Sequence, residues 1–163
     1  GGILSEELTK NGAQVTGLDA SKKTIKIAKN HANEKNYNIR YLDASIESHI
    51  KESKAKYDAI ICFELIEHVP DQIKLIQDIS TICKKGGKLF MSTINRNLMS
   101  FEFARMMAEY VLRIVHEGTH QYDKFIQTSE LANILEQDKF NVEDIEGVKI
   151  NRVAFSFAHS SST

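Results

Sequence analysis

The sequence predicts an open α/β fold, a mostly parallel sheet with helices on its faces. Three observations predict it. Two short apolar runs, 13–19 and 39–44, each close on an acid, Asp19 and Asp43. Segments with helical spacing stand between the strand-like runs. A continuous apolar, β-branched stretch around Ile60-Ile61-Cys62-Phe63 leads straight into a polar turn and another helix. Such alternation gives parallel strands joined by crossover helices. Ligands then bind beyond the carboxyl ends of the strands.

The elements follow in order. Gly1 and Gly2 open onto Ile3-Leu4-Ser5-Glu6-Glu7-Leu8, a short amphipathic helix closed by Asn11-Gly12. Glycines just before a helix let a ligand approach its positive end, and equally serve a plain turn. The strand 13–19 ends at Asp19, where a carboxylate can accept from both hydroxyls of a ribose. The alternative is that Asp19 caps the next helix, a duty Ser21 can also perform. Residues 21–36 form that helix, with Ile25, Ala28 and Ala32 inward and Lys22, Lys23, Lys26 and Lys29 on a solvated face. The strand 39–44 carries Asp43, which can accept from the exocyclic amine of a bound base or stand idle in a loop. Residues 45–56 read as polar helix or loop, with His49 at the surface.

Residues 57–63 are expected to be a buried central strand. Directly after it stand Glu64, Glu67 and His68 among Leu65, Ile66 and Val69. Two carboxylates and an imidazole beside a buried strand are costly unless they have a task. One helical turn there would place all three on one face, at spacings i,i+3 and i,i+4. Pro70-Asp71 opens a helix to about Cys83, with Ile73, Ile76, Ile79 and Ile82 inward. Lys84-Lys85-Gly86-Gly87 reads as its basic last turn and glycine stop. A strand over 88–93 exits through Asn95-Arg96-Asn97.

The helix over about 98–116 has one narrow charged stripe, Glu102, Arg105, Glu109, Arg113 and His116. Nearly all else in it is apolar. It is therefore buried, or covers an apolar ligand, or lies at a membrane interface. With the loop to 126 it forms an apolar lid or insertion. A helix follows from about 129 to 136, capped by Thr128. Two strands, 140–148 and 150–158, precede a frayed tail.

Residues 1–163 make a single domain, large enough for a real core. Hydrophobic content of 42% and charged content of 26% fit a soluble globular protein. A net charge of −1 offers no general attraction for nucleic acid. Two cysteines, Cys62 and Cys83, fit a reducing compartment rather than a disulfide framework. No apolar run reaches the ~18 residues of a bilayer span. The start at Gly1-Gly2-Ile3, without Met, reads as a fragment.

Gly1-Gly2-Ile3-Leu4, Val15-Thr16-Gly17-Leu18-Asp19-Ala20, Phe63 to Asp71, Ser92-Thr93-Ile94-Asn95-Arg96-Asn97, Glu109 to Arg113 and Gly118-Thr119-His120 together closely resemble the ubiquinone-biosynthesis O-methyltransferases. The resemblance covers roughly residues 1–148. Acid-tipped strands are common to the whole superfamily, whereas the Glu-x-x-Glu-His-Val-Pro, Asn-Arg-Asn and Gly-Thr-His blocks are more specific. It implies a Rossmann-like class I S-adenosylmethionine (SAM) methyltransferase sheet with flanking helices. The family's first strand, the earlier glycines of its SAM loop and its N-terminal helix are missing here, and 149–163 departs from its closing strand. By the same resemblance, Gly1, Gly2, Asp19 and Phe63 bind SAM, and the strand-end position of Asp43 adds it as a further expected cofactor-binding residue. Glu64, Glu67 and His68 match a group proposed to hold Mg²⁺, and they are the expected catalytic residues.

The implied reaction moves a methyl from SAM to an aromatic hydroxyl of a polyprenylated catechol or hydroquinone. A phenol titrates near ~10, so a divalent cation on the three residues could favour the phenolate. Without a metal, His68 or a Glu is the general base. The third possibility is that Glu67 and His68 only hydrogen-bond neighbouring loops. The expected partners are a polyprenyl phenol substrate, a membrane surface at 98–116 and other ubiquinone-biosynthesis proteins. The expected location is the cytoplasm, peripheral on the inner membrane, or the mitochondrial matrix side in a eukaryote. The rival readings are a methyltransferase for a small soluble phenol, a nicotinamide oxidoreductase, and a non-catalytic scaffold of a lipid-synthesis complex.

Overall fold

The computed structural model describes residues 2–93 and 126–147. Gly1, the exit loop 95–97, the helix at 98–116, the lid 98–126 save its last residue, Gly118-Thr119-His120, the strand 150–158 and the tail lie outside the described residues.

Helix α1 (Ile3–Lys10) leads through Gly12 to β1 (Thr16–Asp19), α2 (Lys22–Glu34), β2 (Arg40–Asp43), α3 (Ile46–Glu52) and β3 (Tyr57–Phe63). A 3₁₀ turn (Ile66–His68), α4 (Gln72–Ile82), β4 (Cys83–Ser92) and α5 (Thr128–Gln137) complete the order. Local chemistry explains most boundaries. Ser21 accepts from the Thr24 amide at 3.3 Å and starts α2. Asn36, in the left-handed region, ends it. Asp71 accepts from the Lys74 amide at 2.9 Å, so it is the cap of α4 and Pro70 stands one residue outside.

The strands pair in parallel, β1 with β2 and β3 with β4. The sequence leads one to expect one continuous sheet. Among the described residues there are two two-stranded sheets, and β1 and β3 do not pair with each other. Helix α2 covers the first sheet through Ile25, Ala28 and Ala32, packed with Tyr41. Helix α4 covers the second through Leu75, Ile76 and Ile79, packed with Cys62, Ile66, Ile126 and Leu131.

Several expectations change. The strand 57–63 is not buried on both faces: Cys62 faces the core, whereas Phe63 and its neighbour Phe90 are half exposed. The cause is that α4 covers one face of this pair only. Ile73 is exposed because the buried stripe of α4 runs through Leu75, Ile76, Ile79 and Ile82, on the other side of the helix. Lys84 to Gly87 do not form a helix stop followed by a loop. Strand β4 already starts at Cys83, opposite Tyr57, and resumes at Lys88, opposite Ala59. Four residues thus bulge against Asp58, with Gly86 at φ +77° and Lys84 Nζ on both Asp58 oxygens at 2.7 and 2.8 Å. His49 is buried, 4% exposed, because its Nε2 meets the Tyr57 hydroxyl at 2.9 Å. Residues 140–147 carry no strand.

Helix α1 is held unusually. Its apolar Ile3 and Leu4 are exposed, and its one buried residue is Glu6. Glu6 Oε2 binds Lys35 Nζ at 2.6 Å, beyond the end of α2. That bond holds the Glu6 carboxyl below its ordinary value of 4.5, against an opposing push from burial. A depressed carboxyl stabilises the fold above its unfolded pKa, and the benefit disappears as pH falls through the folded one. Glu6→Gln should therefore lower the melting temperature at pH 7. The difference from wild type should shrink as pH drops below 4.5, as measured by thermal unfolding across a pH series.

Candidate functional site

The first parallel pair ends on two carboxylates, and in the second a carboxylate, Glu64, follows the last residue of β3. In the first sheet the register sets Asp19 directly beside Asp43. Like charges at paired positions repel, so this edge suits a ligand that brings hydrogen-bond donors. Asp19 Oδ1 accepts from the Ser21 amide at 2.7 Å, which fixes the carboxylate at the end of its strand. The helix cap is Ser21, so Asp19 is not spent on that duty. Asp43 is exposed, and its side chain makes no hydrogen bond to a described residue.

Gly2 is the residue preceding α1, at φ +95°. A Cβ there would sit 2.6 Å from the Tyr41 hydroxyl and 3.1 Å from Ala28 Cβ. A Cβ on Gly17 would meet the Tyr41 ring at 2.6 and 2.7 Å. The chain's own packing thus requires both glycines. Tyr41 escaped sequence reasoning; the available signal was an aromatic placed opposite a glycine in parallel register. Burial pushes its hydroxyl pKa up, partly offset by a hydrogen bond with Ser5.

At the second edge the ladder closes with Phe63 opposite Ser92. The Glu64 amide still donates to the Ser92 carbonyl at 3.1 Å, and Glu64 then turns into the left-handed region at φ +49°. Non-glycine residues held there are strained, and such strain gathers at functional sites. Two side-chain bonds join the strand exits. Ser92 Oγ donates to Glu64 Oε1 at 2.8 Å, and Thr93 Oγ1 donates to Glu67 Oε2 at 3.2 Å. Glu67 is 4% exposed, and its Oε1 is enclosed without a partner among the described residues. His68 is exposed on the 3₁₀ turn. Phe63 lies at this edge, half exposed.

The expectation that Glu64, Glu67 and His68 share one helical face fails. Only Ile66–His68 are helical, in a 3₁₀ turn, and Glu64 precedes it in a left-handed conformation. The i,i+3 and i,i+4 spacings of an α-helix therefore do not apply. Among the described residues no group of three His, Cys, Asp or Glu side chains is placed to hold a metal ion. The donors are of a suitable kind for Mg²⁺, oxygen-rich with one imidazole, but they do not converge. Ser92 and Thr93 were missed by sequence reasoning. Their signal was position, two hydroxyl residues leaving β4 level with the acids leaving β3.

The methyltransferase domain family matches residues 1–145. The ubiquinone biosynthesis O-methyltransferase of Vibrio vulnificus (strain YJ016) is 41% identical over 157 residues, which is 96% of this chain and 67% of that protein. The protein of the same name from Nitrosospira multiformis is 39% identical over 163 residues, the whole of this chain and 68% of that protein. Solved structures are similar in fold. A plantazolicin methyltransferase in complex with S-adenosylhomocysteine (SAH) superposes with a TM-score of 0.58 at 21% identity, over 83% of this chain and 50% of that one. A Pyrococcus horikoshii OT3 protein superposes with a TM-score of 0.57 at 16% identity, over 82% and 66%. The chain thus spans about two thirds of these curated relatives and half to two thirds of these structures.

Beneath the second edge, Cys62 is buried and its thiol is pushed up to about 11, by burial first and then by the Glu67 charge. Cys83 is only half-buried, and its thiol is raised by burial against a lowering by Lys56. The thiolate is the reactive form, so Cys62 is inert in the native state. Iodoacetamide at pH 8 should label Cys83 in the native chain and spare Cys62 until denaturant is added, as read by mass spectrometry.

Proposed function

The chain belongs to the methyltransferase domain family and, within it, to the ubiquinone biosynthesis O-methyltransferases, and from that membership we propose that it methylates an aromatic hydroxyl of a polyprenylated catechol or demethylubiquinol, with SAM as donor. The geometric observation that carries the proposal is the Asp19–Asp43 pair closing the first parallel ladder, with Glu64 directly after the last residue of β3 in the second.

The residues divide by edge. Asp19 accepts hydrogen bonds from the ribose hydroxyls through the oxygen that Ser21 leaves available. Asp43 accepts from the adenine amine, and the backbone at Gly2 and Phe63 lines the same ligand. SAM supplies a methyl carbon already activated by a sulfonium, so the protein has to align the nucleophile and remove its proton. His68 is the group best suited to take that proton. It is exposed at the exit of β3, whereas Glu64 and Glu67 each accept from a hydroxyl of Ser92 or Thr93. The oxygen–methyl bond forms as the carbon–sulfur bond breaks, and its electron pair leaves on sulfur as SAH. No step is assigned to Mg²⁺, because Glu64, Glu67 and His68 do not converge. Loss of activity on chelation in the full-length enzyme would require them to gather.

A polyprenyl tail resides in lipid, so the substrate is reached at a membrane surface. The apolar sequence over 98–116 is the proposed contact, with the protein peripheral on the cytoplasmic side of the inner membrane, or the matrix side in a eukaryote. Other ubiquinone-biosynthesis proteins are natural neighbours there.

Calorimetric titration with SAM tests the proposal on this chain and on the same chain extended upstream. The extended chain should bind SAM and ignore NAD. Asp19→Ala should weaken binding about tenfold or more, the effect of losing charge-assisted hydrogen bonds. Failure of both chains to bind SAM would refute it.

A further inference from the structure

We infer that Ser92 and Thr93 are positioning residues. Their hydroxyls hold the Glu64 and Glu67 carboxylates and thereby join the exit of β3 to the exit of β4. The inference rests on the methyl-transfer reading above and assigns these two residues a part in it.

The geometry is specific. The backbone ladder stops at Phe63 opposite Ser92, with one further bond from the Glu64 amide to the Ser92 carbonyl at 3.1 Å. Beyond that point the strands have no regular means of staying together. Two hydroxyl–carboxylate bonds take over, Ser92 Oγ to Glu64 at 2.8 Å and Thr93 Oγ1 to Glu67 at 3.2 Å. They are consecutive at the exit of β4 and three residues apart on the other side, so they bracket the turn Leu65–Ile66. Hydrogen bonds to an ionised acceptor are the stronger kind.

The two bonds are unequal. Glu64 is exposed and strained at φ +49°, and its bond to Ser92 steadies a conformation the backbone disfavours. Glu67 is 4% exposed and keeps one oxygen enclosed and unpartnered. A buried carboxylate with a single hydroxyl donor depends heavily on that donor. Thr93 is thus the larger contributor. Through Glu67 it fixes the 3₁₀ turn that carries His68. A group supported in this way acts at its full rate only while its support is in place.

The test uses the full-length enzyme, SAM, and a catechol with a short prenyl side chain as acceptor. Thr93→Val should lower kcat ~10–100-fold, the order set by losing a hydrogen bond to a charged group, while SAM affinity by calorimetry is unchanged. Thr93→Ser keeps the hydroxyl and should restore most of the rate. Ser92→Ala should show the same split with a smaller loss. An unchanged kcat in Thr93→Val overturns the inference. So does a Thr93→Ser variant as slow as Thr93→Val, or a parallel loss of SAM affinity, which marks a general loss of structure. Wild-type enzyme that binds SAM yet methylates no catechol refutes the proposed substrate instead, and this inference falls with it.

Discussion

The parallel ladder is the constraint from which the rest of this structure follows. Parallel strands cannot be joined by a tight hairpin, so each pair needs a crossover. Here α2 joins β1 to β2, and α4 joins β3 to β4. The crossover helix must lie on one face of its own sheet, which creates the two cores, one around Ala28 and Tyr41 and the other around Ile76 and Cys62. The same rule points both strands of a pair in one direction. Their carboxyl ends therefore share an edge, which sets Asp19 beside Asp43 in the first pair and the exit of Glu64 beside Ser92 in the second.

Elements governed by short-range rules were legible. The inward trio Ile25, Ala28 and Ala32 follows from helical spacing, and Ser21 and the polar turn at Asn11-Gly12 follow from capping and turn chemistry. Elements governed by tertiary contact were not. His49 sits in a polar segment with nothing to mark it as buried, and its place depends on a hydroxyl eight residues on. The Lys84–Gly87 segment carries every sign of a helix stop. Pairing of Cys83 with Tyr57 drew it into the ladder as a bulge. The residues 59–63 are apolar throughout, as a strand covered on both faces would be. Which face stays uncovered among the described residues is not written in that composition.

The candidate site divides along the same line. Asp19, Asp43, Glu64, Glu67 and His68 were legible because each follows a strand-like run and is chemically out of place there. Their mutual geometry was not legible. It turns on one backbone angle, the φ of +49° at Glu64, which takes this residue out of the helix that would have aligned it with His68. A left-handed non-glycine residue has no strong sequence mark. The hydroxyls of Ser92 and Thr93 were ordinary strand-end residues until the register set them beside the acids.

The two edges relieve their charge differently, and that difference separates binding from support. At the first edge two carboxylates face each other in register, and only the Ser21 amide answers one of them. The remaining acceptors at this edge have no donor from the described chain and suit a ligand that brings its own. At the second edge each carboxylate already has a hydroxyl donor from the chain itself. An acid with its own internal donor is a poorer candidate to bind a ligand by charge and a better one to hold a loop in place. The imidazole of His68 follows the enclosed Glu67 on the 3₁₀ turn and is exposed.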